Sequence, residues 1–61
     1  MTSTDLIRLL KKTGWYEVSQ KGSHIKFEHA TKAGHVIVAH HKGKDIPIGT
    51  LKDIKKKAGL E

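Results

Sequence analysis

No cysteine occurs in this 61-residue chain, so no disulfide can tie the fold together. A chain so short buries only a modest fraction of its surface, which leaves the fold marginal or held by a partner. The absence also agrees with a reducing compartment. Acidic residues are scarce: six stand against twelve lysines and arginines, a net charge of +6 with neutral histidines. On so small a surface that balance makes a polyanion the leading class of partner. The plainer reading is a lysine-rich surface that keeps a small protein soluble. Long apolar runs are missing too, and Met1 to Asp5 carry no basic segment, so neither a signal peptide nor a membrane span is expected. Neither candidate helix joins a large apolar face to a basic one, which disfavours a lipid surface. The expectation is a cytoplasmic protein with no membrane partner.

Other chemistries lack their residues. His40 and His41 are adjacent, so from a strand they point to opposite faces and cannot chelate together; the carboxylates are scattered. No metal site and no cofactor are expected. The glycines stand too far apart for a phosphate loop or a dinucleotide fingerprint. Ser23 and His24 formally offer a serine nucleophile with a histidine base, but neighbours on a strand face opposite ways, which counts against that pair.

What is present centres on Gly22-Ser23-His24-Ile25-Lys26-Phe27. Gly22 accepts a positive φ without steric cost, as a tight hairpin loop at Lys21-Gly22 requires. From Ser23 the side chains alternate: Ile25 and Phe27 share one face, His24, Lys26 and Glu28 the other. A histidine and a lysine thus share a polar sheet face, with Lys21 at the turn. Such a face suits a phosphate.

The remaining chain supplies cover. Thr2 followed by Asp5 predicts a capping box opening a first helix, with Leu6, Leu9 and Leu10 as its apolar stripe and Gly14 as its stop. Strand one is predicted from Trp15 to Ser19 or Gln20, with Tyr16 and Val18 on one face and Trp15, Glu17 and Ser19 on the other. Strand two runs from Ser23 to about His29, and strand three from His35 to about His40. Strand three carries apolar residues on both faces, which suggests a central strand or one contacted by a partner. Pro47 suits a helix entry, Thr50 with Asp53 offers a second capping box unless the helix begins a turn earlier, and Leu51, Ile54 and Ala58 form the last stripe before Gly59 and Leu60. Residues 1–61 therefore read as one α+β domain: helix, three meandering antiparallel strands, helix, with both helices on one face of the sheet.

Cleaving RNA needs neither a metal nor a protein nucleophile. The neighbouring 2′-hydroxyl attacks phosphorus if a base takes its proton and cations steady the phosphate; histidine and lysine suit those two tasks. His24 with Lys21 and Lys26 offers these groups. As base His24 would take the 2′-hydroxyl proton; as imidazolium it would protonate the leaving 5′-oxygen. His40, Lys21 or water are the candidates for the second proton transfer.

Gly22-Ser23-His24 with Ile25-Lys26-Phe27, the stretch from His40 to Gly43, Ile48-Gly49-Thr50-Leu51 and Ala58-Gly59-Leu60 together resemble the HicA toxin family, in order and over nearly the whole chain. The resemblance implies a double-stranded-RNA-binding-domain-like fold and an mRNA interferase with its catalytic histidine at His24. Lys21, Gly22, Ser23, Lys26 and His40 are the accompanying candidates for RNA binding. It further implies single-stranded or messenger RNA as substrate and a HicB-type antitoxin as protein partner, with DNA contacted only through that antitoxin. Two other readings stand beside it. One is a non-catalytic RNA-binding module of the same fold, reading duplex shape through 2′-hydroxyls and phosphates. The other is a basic structural protein docked on a ribosome. Neither requires His24.

Overall fold

A computed structural model describes residues 1–60. Five elements follow one another: α1 (Ser3–Lys12), β1 (Trp15–Lys21), β2 (His24–His29), β3 (His35–Ala39) and α2 (Ile48–Lys57). The strands form an antiparallel meander in the order β1-β2-β3. Leu6 and Leu10 of α1 and Ile54 of α2 meet Trp15, Ile25, Phe27, Val36 and Val38 of the sheet in one core. Both helices thus cover the same sheet face, and the fold is the α+β, double-stranded-RNA-binding-domain-like one.

Local chemistry sets the helix ends. Thr2 caps α1: its hydroxyl accepts from the Asp5 amide at 3.2 Å, and the Asp5 carboxylate accepts from the Thr2 amide at 3.4 Å. Two orphan amides are satisfied reciprocally. At the far end of α2, Gly59 takes φ +72°, its amide bonds the Lys56 carbonyl and the Leu60 amide bonds the Lys55 carbonyl at 2.8 Å. That is a Schellman closure, and it turns Leu60 back onto the core. The start of α2 follows the earlier of its two expected entries. The helix begins at Ile48 behind Pro47, with no side-chain cap, and Thr50 lies within its first turn. Proline's fixed φ starts the helix, so Thr50 is not needed as a cap.

Three strand features also differ from the sequence reading. Lys21 pairs with His24, so the two-residue turn is Gly22-Ser23, one position later than expected. Gly22 has φ +59° and Ser23 no positive φ, the pattern of a II′ turn. A β-bulge at Val18 breaks the alternation of β1: Glu17 opposes Phe27, yet Ser19 opposes Lys26. Trp15 and Glu17 therefore face the helices while Ser19 faces away from them, because one extra residue moves the following side chains to the other face. Lastly, β2 is central and β3 is an edge strand, as a meander requires, so of the two readings of strand three the central position falls. Ile37 is accordingly 49% exposed on the uncovered face, opposite the buried Val36 and Val38.

Candidate functional site

The uncovered face of the sheet is a grid of three rungs set by strand register. The first rung is Lys21–His24–Ala39, the second Ser19–Lys26–Ile37, the third Tyr16–Glu28–His35. Cross-strand partners on one face hold their Cβ atoms about 4.5–5.5 Å apart, so His24 and Lys21 are direct neighbours. Lys26 lies two residues along β2 from His24, about 7 Å at the rise of a strand.

The local chain holds this arrangement in place. His24 is the first residue of β2, immediately after the Gly22-Ser23 turn. Gln20 Nε2 donates to the Gly22 carbonyl at 3.0 Å, and the His40 amide donates to the Ser23 carbonyl at 2.7 Å. Both sides of the turn are therefore tied, and a fixed turn fixes the exit direction of β2. A Cβ built on Gly22 would meet nothing within 4 Å, so the glycine answers to backbone conformation and not to crowding.

Ser19, Lys21, His24, Lys26 and Ile37 line an open concavity of about 310 Å³. Three sequence-predicted residues are thus brought together: Lys21, His24 and Lys26. Gly22 and Ser23 border them in the turn. His40 is separated. Its ring turns to the helix side, where Nδ1 lies 2.9 Å from Ser3 Oγ of α1. Ser19 and Ile37 join the concavity without having been singled out. Ile37 was legible from strand parity, but Ser19 arrives only through the bulge, which has no compositional mark.

No hydrogen bond or ion pair engages the side chains of Lys21, His24 or Lys26 among the described residues; the ion pairs present join Met1 to Asp45, Lys11 to Glu17 and Lys57 to Asp53. Two lysines without an ion-pair partner thus stand beside an imidazole, a set of groups whose chemistry suits an anion and a proton transfer. Among the described residues no group of three or more His, Cys, Asp or Glu converges as a metal site would require. None of their helices is long and apolar enough to cross a membrane.

A comparison with curated proteins gives no match. The family model for the HicA toxin of bacterial toxin–antitoxin systems matches residues 3–60, a span that takes in both helices, all three strands and the Gly22-Ser23-His24 turn. With that span matched and the fold agreeing element by element, the chain belongs to the HicA toxin family.

Proposed function

We propose that residues 1–61 act as one RNA-cleaving domain, an mRNA interferase that cuts single-stranded or messenger RNA through attack of the RNA's own 2′-hydroxyl. The observation that carries this reading is the shared concavity of His24, Lys21 and Lys26, and family membership supports it. A phosphate seated against the two ammonium groups presents its flanking 2′-hydroxyl to the imidazole. His24 takes the proton, the 2′-oxygen bonds phosphorus, and the bond to the 5′-oxygen breaks. The departing oxygen takes up a proton. With His40 bonded to Ser3 on the other face, the donor is Lys21, water or the imidazolium itself. The products carry 2′,3′-cyclic phosphate and 5′-hydroxyl ends, and no co-reactant is consumed.

A HicB-type antitoxin neutralises the toxin by covering this basic face, and it stabilises the small domain by mass action. Any DNA contact is made by the antitoxin. Bound antitoxin should shield Lys21, Lys26 and the His24 ring from chemical labelling.

The test is incubation of purified wild type and His24→Ala with single-stranded RNA in the presence of EDTA. Wild type is expected to cut. The variant should stay folded and keep much of its RNA affinity while cleavage falls about 10²–10⁴-fold, the usual cost of losing a proton-transfer side chain. A folded His24→Ala protein cutting at the wild-type rate would remove the catalytic role. Products ending in 3′-hydroxyl and 5′-phosphate would mean an activated water instead. Wild type that binds RNA and never cuts it would favour the non-catalytic module.

A further inference from the structure

The third rung of the uncovered face, Tyr16–Glu28–His35, is not used by the chemistry above. Its charge is out of place. Four of the five carboxylates among the described residues have a partner: Asp5 in the capping box, Glu17 with Lys11, Asp45 with the amino terminus and Asp53 with Lys57. Glu28 takes part in no ion pair or side-chain hydrogen bond there, although His35 is its cross-strand neighbour and Lys26 lies two residues away. It is half-buried in the central strand, on the face that has to receive a polyanion. A carboxylate at that place repels phosphate, so it does not serve the RNA backbone. Ionised, it is an acceptor only, and what it lacks is a donor.

Beside it stands Tyr16, 47% exposed and, among the described residues, the one phenol or indole ring on a face that otherwise carries lysines, histidines, Ser19, Ala39 and the exposed Ile37. An exposed aromatic ring on a sheet is a stacking platform for an unpaired base, and recognition of single-stranded RNA commonly joins such stacking to hydrogen bonds on the base edge. We infer that Tyr16 and Glu28 form a base-reading subsite for guanine in single-stranded RNA, the ring stacking the base while the carboxylate accepts from its edge. Guanine presents two adjacent donors on its Watson–Crick edge, the N1 imino group and the N2 amine, which match the two oxygens of one carboxylate. Adenine, cytosine and uracil each present one donor group there. Glu28 lies four residues along β2 from His24, about 13 Å at the rise of a strand. The guanine read by the subsite therefore sits at a fixed offset of a few nucleotides from the scissile phosphate. The subsite deepens the ribonuclease reading and rests on it for that offset, but its binding preference can be measured without cleavage.

Two measurements test it on the full chain. In the first, short single-stranded RNAs that differ only by guanine, inosine or adenine at one position are titrated against the His24→Ala protein with and without Glu28→Gln, Tyr16→Ala or Tyr16→Phe. Inosine lacks the N2 amine. The guanine oligonucleotide should bind more tightly than the other two, and Glu28→Gln should erase that preference, a loss of roughly 5- to 150-fold for a bidentate contact. Tyr16→Ala should weaken binding by a similar factor and Tyr16→Phe should restore it. In the second, cut sites of wild type and Glu28→Gln are mapped on a random RNA pool; guanine should be enriched at one offset with wild type and not with the variant. Equal binding of all three oligonucleotides, or a preference that survives Glu28→Gln in a folded protein, overturns the subsite. If Tyr16→Ala abolishes antitoxin binding and leaves base preference intact, the rung is a protein contact and the inference is wrong. If wild type fails to cut the pool while the guanine preference stands in the titration, the ribonuclease reading fails and the subsite survives.

Discussion

Ser3 Oγ and His40 Nδ1 lie 2.9 Å apart, and that bond decides which side of the sheet His40 serves. Ser3 is 1% exposed, and its hydroxyl also takes the His41 amide at 3.3 Å. The bond ties the first turn of α1 to the exit of β3, while the His40 amide holds the Ser23 carbonyl at the hairpin turn. His40→Ala keeps the amide and loses the ring. It should lower stability by about 0.5–1.5 kcal/mol, the net worth of one such hydrogen bond, and leave cleavage within a few-fold of wild type. Urea unfolding paired with an RNA cleavage assay reads both. A stable His40→Ala protein with cleavage down a hundredfold would bring the ring back into the chemistry.

Phe27 is fully buried beneath both helices in the central strand. Phe27→Ala should cost about 3–5 kcal/mol, a large share of the roughly 5–15 kcal/mol that holds a small domain. Its urea midpoint should fall well below that of wild type or vanish. A midpoint equal to wild type would mean that the buried and open faces of β2 had been exchanged.

The two-residue period of β2 made its faces legible from the sequence. Ile25 and Phe27 alternate with His24, Lys26 and Glu28 without interruption, so the core side and the site side separated together. The helix caps were legible as well, since Thr2 with Asp5 and Gly59 with Leu60 are local chemistry. The bulge at Val18 was not. One inserted residue alters no composition, and only pairing with β2 exposes the change of face that carries Ser19 to the concavity. Of the two readings of β3, the central position failed, because apolar residues on both faces report how the faces are covered and not which strands lie alongside; Ile37 is exposed on the uncovered face. His40 required tertiary knowledge. Its side depends on Ser3, a residue 37 positions away.

Asp5 links the N-terminal cap to pH. The side-chain hydrogen bond with Thr2, then the bond from the Thr2 backbone, holds its carboxyl below the usual aspartate value of 3.8. A lowered folded value means that the ionised form favours the folded chain. The contribution is fully present above the usual aspartate range and is lost as pH falls through the depressed value. The difference in Tm between wild type and Asp5→Asn should therefore be widest near neutrality and close in acid. A difference that grew on acidification would contradict the cap geometry.

Lysines near His24 should matter more for RNA than lysines on the covering helices. Lys21 and Lys26 line the concavity and carry no ion pair among the described residues, whereas Lys57 on α2 is 3.4 Å from Asp53. Each phosphate contact to a single strand contributes about 0.7 to the slope of log affinity against log salt. Lys21→Glu or Lys26→Glu should weaken binding at every salt concentration and flatten that slope by about 0.7. Lys57→Glu changes the net charge by the same amount, but it puts like charges one turn apart, which costs a few tenths of a kcal/mol in α2. Its RNA slope should match wild type, and circular dichroism would separate any loss of helix from a loss of contact. Net charge is common to the three variants, so a difference in slope reports position alone. Equal flattening in all three would mean that RNA responds to a diffuse positive field, and the concavity around His24 would lose its claim to be where the phosphate sits.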